Sequence, residues 1–125
     1  MQTILLVMLR RPVAQLLMQQ LHDVPGVRSI YEPDYVKFGE SVASYGADIA
    51  LIEVQESGKH DMADCLSLCG KLRKQAPGCR VLLLCPEQDE PGVTKAMEAK
   101  RDGRIDDFLF YNATTDYMTS KLLAM

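Results

Sequence analysis

The 125-residue sequence predicts an α/β domain: a parallel sheet covered by helices on both faces. Three observations carry that expectation. Short apolar runs with little alternation recur along the chain, as in strands buried on both faces. Segments with helical spacing of apolar residues separate them. No repeat, linker or low-complexity stretch interrupts the order, and strands alternating with helices need right-handed crossovers and give a three-layer sandwich.

The strand candidates are Ile4–Val7, Val27–Tyr31, Ile49–Val54, Val81–Cys85 and Phe108–Tyr111, each bounded by polar or turn residues. Pro12 suits a first helical position, and Val13, Leu16, Leu17, Met18 and Leu21 follow it before Val24-Pro25-Gly26 turns the chain. The second helix is expected over Asp34–Tyr45, interrupted by Gly39 and stopped by Gly46. Met62, Cys65, Leu66, Cys69 and Leu72 form one stripe of a third helix, ended by Pro77-Gly78. The fourth is expected over Gly92–Arg101, stopping at Gly103. The fifth begins near Thr114 or Thr115, whose hydroxyls can cap free N–H groups, and runs to Met125. It holds only about three turns, and the expectation is that this single domain, residues 1–125, is the N-terminal part of a longer chain.

Length and an apolar content of 47% suffice for one self-sufficient core. The net charge of −3 argues against direct nucleic-acid binding by this domain, because phosphate contacts need a basic surface. Thr3–Leu9, the longest apolar stretch, is too short to span a bilayer and lacks the features of a signal peptide. A cytoplasmic protein is expected, with no membrane contact and with its four cysteines reduced.

Asp48-Ile49-Ala50-Leu51-Ile52-Glu53-Val54 is the most informative stretch. It reads as a buried strand ending in a carboxylate, at the edge where open parallel sheets place their ligands. Together with Leu5-Leu6-Val7, Leu72-Arg73-Lys74-Gln75-Ala76-Pro77, Val81-Leu82-Leu83-Leu84 and Asp106-Asp107-Phe108-Leu109, it resembles the receiver domains of bacterial response regulators. Those are CheY-like, flavodoxin-like (βα)5 modules with strand order 2-1-3-4-5, and the resemblance covers nearly the whole chain.

The resemblance implies a phosphorelay: a histidine kinase phosphorylates an aspartate with the help of Mg2+. Oxygen ligands from an acidic pair and the acceptor hold that cation, while a hydroxyl and a lysine bind the phosphoryl group. On this sequence the acidic pair falls on Met8 and Leu9, the acceptor on Glu53, the hydroxyl on Cys85 and the lysine on Tyr111. Each departs from the family pattern; Phe108 keeps the switch aromatic of the fifth strand. One carboxylate beside two apolar side chains cannot replace the charge of three, so the resemblance implies a degenerate, or pseudo-, receiver without Mg2+ or phosphate.

Glu53 then has several readings. Its fixed charge could imitate a phosphorylated state; it could be merely solvated or paired; or Arg10 or Arg11 could take the metal's place and fix one conformation. Cys65 and Cys69 read as core and Cys79 carries no pattern, while a carboxylate near Cys85 disfavours its thiolate. His22 and His60 are expected at exposed positions, and Glu87-Gln88-Asp89-Glu90 reads as an acidic helix start. Gly58-Lys59 and Gly92 lack the spacing of a phosphate loop.

The expected function is a non-enzymatic signalling module without a cofactor. It would act by protein–protein contact or homodimerisation through the face of helix 4, strand 5 and helix 5, where receivers make such contacts. Here that face would include Val93, Met97, Phe108, Phe110, Tyr117 and Met118, several of them large enough to serve either as core or as interface. A further C-terminal output domain, DNA-binding among the possibilities, would make it a transcriptional regulator. The alternatives are an active receiver with a non-standard acceptor, or a cofactor-binding or redox domain on a flavodoxin-like fold. Met8-Leu9-Arg10-Arg11-Pro12 provides no Ser/Thr/Gly-rich flavin phosphate loop, and no cobalamin histidine motif is present.

Overall fold

The computed structural model describes residues Met1–Met125. Strand β1 (Gln2–Val7) is buried from Thr3 onward. It lies between β2 (Val27–Glu32) and β3 (Ile49–Glu53); β4 (Arg80–Cys85) and β5 (Asp107–Phe110) follow, so the parallel sheet reads β2-β1-β3-β4-β5. This is the flavodoxin-like order expected from the resemblance.

The strand period of two divides the core into two layers. Ile4, Leu6 and Met8, with Ile49 and Leu51, face helices α1 (Arg11–His22) and α5 (Thr115–Leu123). Leu5, Val7, Ala50 and Ile52 face α2 (Phe38–Tyr45), α3 (Met62–Gln75) and α4 (Glu90–Arg101). Each fully buried aliphatic side chain contributes about 1.5–3 kcal/mol.

Two helix starts differ from expectation. The segment before α2 is a 3-10 turn over Tyr35–Lys37, because local carboxylates take its backbone donors: Asp34 accepts from Val36 N at 3.0 Å and Glu32 from Asp34 N at 3.0 Å. Helix α4 starts at Glu90 rather than Gly92, with Asp89 accepting from Gly92 N at 3.1 Å. A Cβ on Gly92 would meet that carboxylate at 2.2 Å, so the cap requires glycine there. Gly46 ends α2 in the left-handed region, at φ 61°.

Successive strands step away from β1 in opposite directions, to β2 on one side and β3 on the other. The reversal opens the crevice at the C-terminal ends of β1 and β3. Glu53 is the last residue of β3.

Candidate functional site

Glu53 continues the alternation of Ile49 and Leu51, so its side chain leaves the sheet on the α1 side. It is 1% exposed. Its Oε1 accepts from Leu9 N at 2.9 Å and from Arg10 N at 3.0 Å. Its Oε2 accepts from Nε of Arg10, which forms the ion pair. Arg10 is the N-cap of α1, and that helix has neither a side-chain cap of its own nor an acid in its first turn. Glu53 supplies from another strand the anion that a helix N-terminus favours.

The Arg10 side chain is 39% exposed and its guanidinium lies 4.0 Å above the Tyr111 ring. Its Nη2 is buried without a hydrogen-bond partner; the aromatic face offers the compensating attraction. Tyr111 follows β5 and donates twice, its hydroxyl to Val54 O and its backbone N–H to Cys85 O at 2.9 Å. Arg11 turns the other way, with its guanidinium 5.3 Å from the Tyr31 ring centroid. As a partner for Glu53, Arg11 is therefore corrected: the start of α1 aims consecutive side chains apart, and Arg10 alone reaches the carboxylate.

Met8 is wholly buried in the α1/α5 layer, and its carbonyl accepts from the Tyr31 hydroxyl at 3.0 Å. Leu9 contributes its backbone N–H while its side chain reaches solvent. Cys85 is buried, and burial, then Asp89, pushes its thiol up to about 12. Burial likewise raises Cys69 to about 12, Cys79 to about 11, and Cys65 upward. In all four, burial works against the thiolate form.

Residues the sequence reading passed over complete the site. Tyr35 donates its hydroxyl to Glu53 O, and burial followed by the Glu53 charge keeps that phenol protonated; the same two causes act on Tyr111. His60 is not an isolated exposed histidine. Its ring stacks on Tyr35 at 4.0 Å, its Nδ1 lies 3.4 Å from Asp64, and its carbonyl accepts from Gln55 N at 2.7 Å. No sequence signal marks Tyr35, because its partner is a backbone carbonyl.

An open cleft of about 380 Å3 lies over the site, lined by Arg10, Gln55, Glu56, Ser57, Gln88 and Tyr111 among others. No group of three or more His, Cys, Asp or Glu side chains in the molecule could hold a metal ion. Two carboxylates end strands here: both oxygens of Glu53 already accept from N–H donors, and those of Glu32, at the end of β2, accept from the Ser41 hydroxyl at 2.8 Å and Asp34 N at 3.0 Å. That donor set does not fit a hard divalent cation, which needs several free oxygens.

On the face of α4, β5 and α5, Met97 (58% exposed), Tyr117 (53%) and Phe110 (37%) reach solvent, with Val93 half-buried. Phe108 is half-buried against the α2–α4 layer and meets Phe110 edge-on at 5.8 Å. Met118 belongs to the core instead, at 2% exposure, because it falls on the stripe of α5 that packs under α1.

No family model matches the chain, and no curated protein matches it. Solved structures do. The Francisella response regulator 1452 receiver domain shares 17% identity, covering 99% of this chain and 95% of that one, with a TM-score of 0.76. The chain has the CheY-like receiver fold. An adenylate cyclase from Rhodopirellula baltica shares 20% identity over 98% of this chain and 85% of its own, with a TM-score of 0.76. A streptococcal redox sensor, from a family evolved from two-component response regulators, shares 15% over 99% of this chain and 50% of its own, with a TM-score of 0.79. The fold thus serves proteins of several descriptions, and function has to be argued from the site. No helix of this receiver-fold domain is long and apolar enough to cross a membrane.

Proposed function

We propose that this domain is a degenerate receiver: a signalling module that neither binds Mg2+ nor accepts phosphate and that acts through protein–protein contact. The observation that carries this reading is the state of Glu53. A phosphoacceptor carboxylate must present a free oxygen and be balanced by a cation that also engages the incoming phosphoryl group. Here both oxygens are held by N–H donors, and the balancing charge is the guanidinium of Arg10, tethered to the same chain. The hydroxyl and lysine positions hold the buried Cys85 and the phenol of Tyr111, which is itself committed to Val54 O.

Output then rests on the exposed part of the α4–β5–α5 face, Met97, Phe110 and Tyr117, which would meet a protein partner or a second copy. A cytoplasmic, bacterial signalling or transcriptional role follows from the same reading, with any DNA contact made by a further domain. The domain itself has no enzymatic step. The test is intact-mass measurement after incubation with acetyl phosphate and Mg2+, beside a beryllofluoride titration followed by backbone NMR. The expected result is an unchanged mass and unmoved resonances. Addition of a phosphoryl group that Glu53→Gln abolishes would overturn the reading.

A further inference from the structure

Three phenols end on the same edge of the sheet. Tyr31 donates to Met8 O, Tyr35 to Glu53 O and Tyr111 to Val54 O, so each hydroxyl closes a carbonyl where β1 or β3 runs out. Tyr31 and Tyr35 reach in from the β2 side, Tyr111 from β5. Adjacent arginines cover two of the rings, Arg11 that of Tyr31 and Arg10 that of Tyr111, while His60 covers the third. Strand-end carbonyls beyond the last ladder bond normally turn to water or ligand.

We propose that these tyrosines form a clasp that holds the ligand-binding edge of the sheet in a single conformation, with Tyr111 as the positioning residue for Arg10. This rests on the degenerate-receiver reading and adds how the site is regulated: it is not. A two-state element needs two arrangements of similar free energy. Here the β1–α1 loop, the end of β3 and the end of β5 share one network. Glu53 binds Leu9, Arg10 and, through its carbonyl, Tyr35; Tyr111 binds Val54, stacks on Arg10 and, through its N–H, reaches Cys85 of β4. Displacing any one loop breaks contacts on the others. Tyr111 also follows Phe110 directly, so the clasp fixes the strand that presents the exposed aromatic face.

The experiment is NMR relaxation dispersion and amide hydrogen exchange on the wild-type domain, Tyr111→Phe and Tyr111→Leu. Wild type is expected to show no millisecond exchange at Gln55, Cys85, Phe108 or Phe110. Tyr111→Phe, which keeps the ring under Arg10 and loses one hydroxyl, should speed exchange of the Gln55 amide, bonded to His60 O, by about tenfold, the loss of about one buried hydrogen bond. Tyr111→Leu, which also frees Arg10, should add millisecond exchange at Leu9, Arg10 and Phe110. Dispersion at Cys85 and Phe110 already present in wild type would overturn the clasp, and that measurement needs no variant to fold. So would unchanged exchange in both variants. Neither result bears on phosphate acceptance, which the mass measurement decides separately.

Discussion

Two carboxylates at opposite ends of the sheet show what burial does to an ion pair. Glu53, at the C-terminal end of β3, is 1% exposed and has one cationic partner plus two backbone N–H groups. Asp107, at the N-terminal end of β5, has two cations, Lys121 at 2.6 Å and Lys100 at 3.0 Å, and its own neighbour Phe108 N at 2.9 Å. By a tally of contacts Asp107 is the better paired. Its lysines stand in solvent, 32% and 50% exposed, where water and salt compete for each charge. Arg10 is as open to water as those lysines, but the Glu53 carboxylate is 2% exposed against 16% for Asp107, so the partners of Glu53 carry more of its desolvation cost. Disturbing the buried site should therefore cost more than disturbing the surface one.

The largest effect that could break this contrast is expected at Glu53 itself. Glu53→Ala leaves the Leu9 and Arg10 N–H groups and the Arg10 guanidinium without an acceptor, and uncaps α1. The expected cost is about 2–4 kcal/mol in chemical denaturation. Glu53→Gln, which keeps volume and one acceptor oxygen, should cost less than half of that. Equal losses in the two variants would mean that packing, not pairing, holds the residue.

Removing the partner is expected to cost less, because Arg10 is 39% exposed and its carboxylate keeps two backbone donors. Arg10→Met, which preserves the stem, should lose about 1–3 kcal/mol. Because Arg11 points at Tyr31, Arg11→Met should leave stability within about 0.5 kcal/mol of wild type. Similar losses at the two arginines would show that either can serve Glu53 and that the two side chains exchange places.

That pair of arginines also marks where sequence reasoning stops. The place of Glu53 was legible: an apolar run of strand length ending in one carboxylate fixes both the strand and the edge. Met8, Leu9, Cys85 and Tyr111 could be set beside it only through the family resemblance, since none of them carries a signal of its own. Which arginine turns to Glu53 was not, since neighbours at a helix start diverge according to backbone angles, here φ −79° and ψ 88° at Arg10. Tyr31 and Tyr35 were invisible for another reason. A phenol that bonds a main-chain carbonyl needs no particular residue opposite it, so no second position in the sequence betrays the contact. His60 was misjudged because its neighbours, Tyr35 and Asp64, come from a 3-10 turn and a helix start that meet only in the fold. Met118 was left open between core and interface because apolar residues on a short helix look the same whichever side they serve.

The smallest effect is expected at Asp107, and its pH dependence sharpens the comparison. Burial pushes the Asp107 carboxyl up, but the hydrogen bonds from Lys121, Phe108 N–H and Lys100 outweigh it and hold the group below its ordinary value of 3.8. A carboxyl depressed in the folded state contributes stability that is complete above the unfolded value and disappears as pH falls through the folded one. Asp107→Asn should therefore cost less than about 1 kcal/mol at pH 7 and low salt. That difference should shrink as salt is added, and it should fade as pH drops below about 4, where wild type loses the charge too. Lys121 mirrors this on the alkaline side. Its bond to Asp107 raises it above 10.5, so its share is complete below that value and is lost as pH climbs through the raised one. Denaturation midpoints of wild type and Asp107→Asn across pH and salt would check the sign. A difference that survives both acid and high salt would place Asp107 with Glu53, as a carboxylate whose geometry rather than its charge ties α4 and α5 to the sheet.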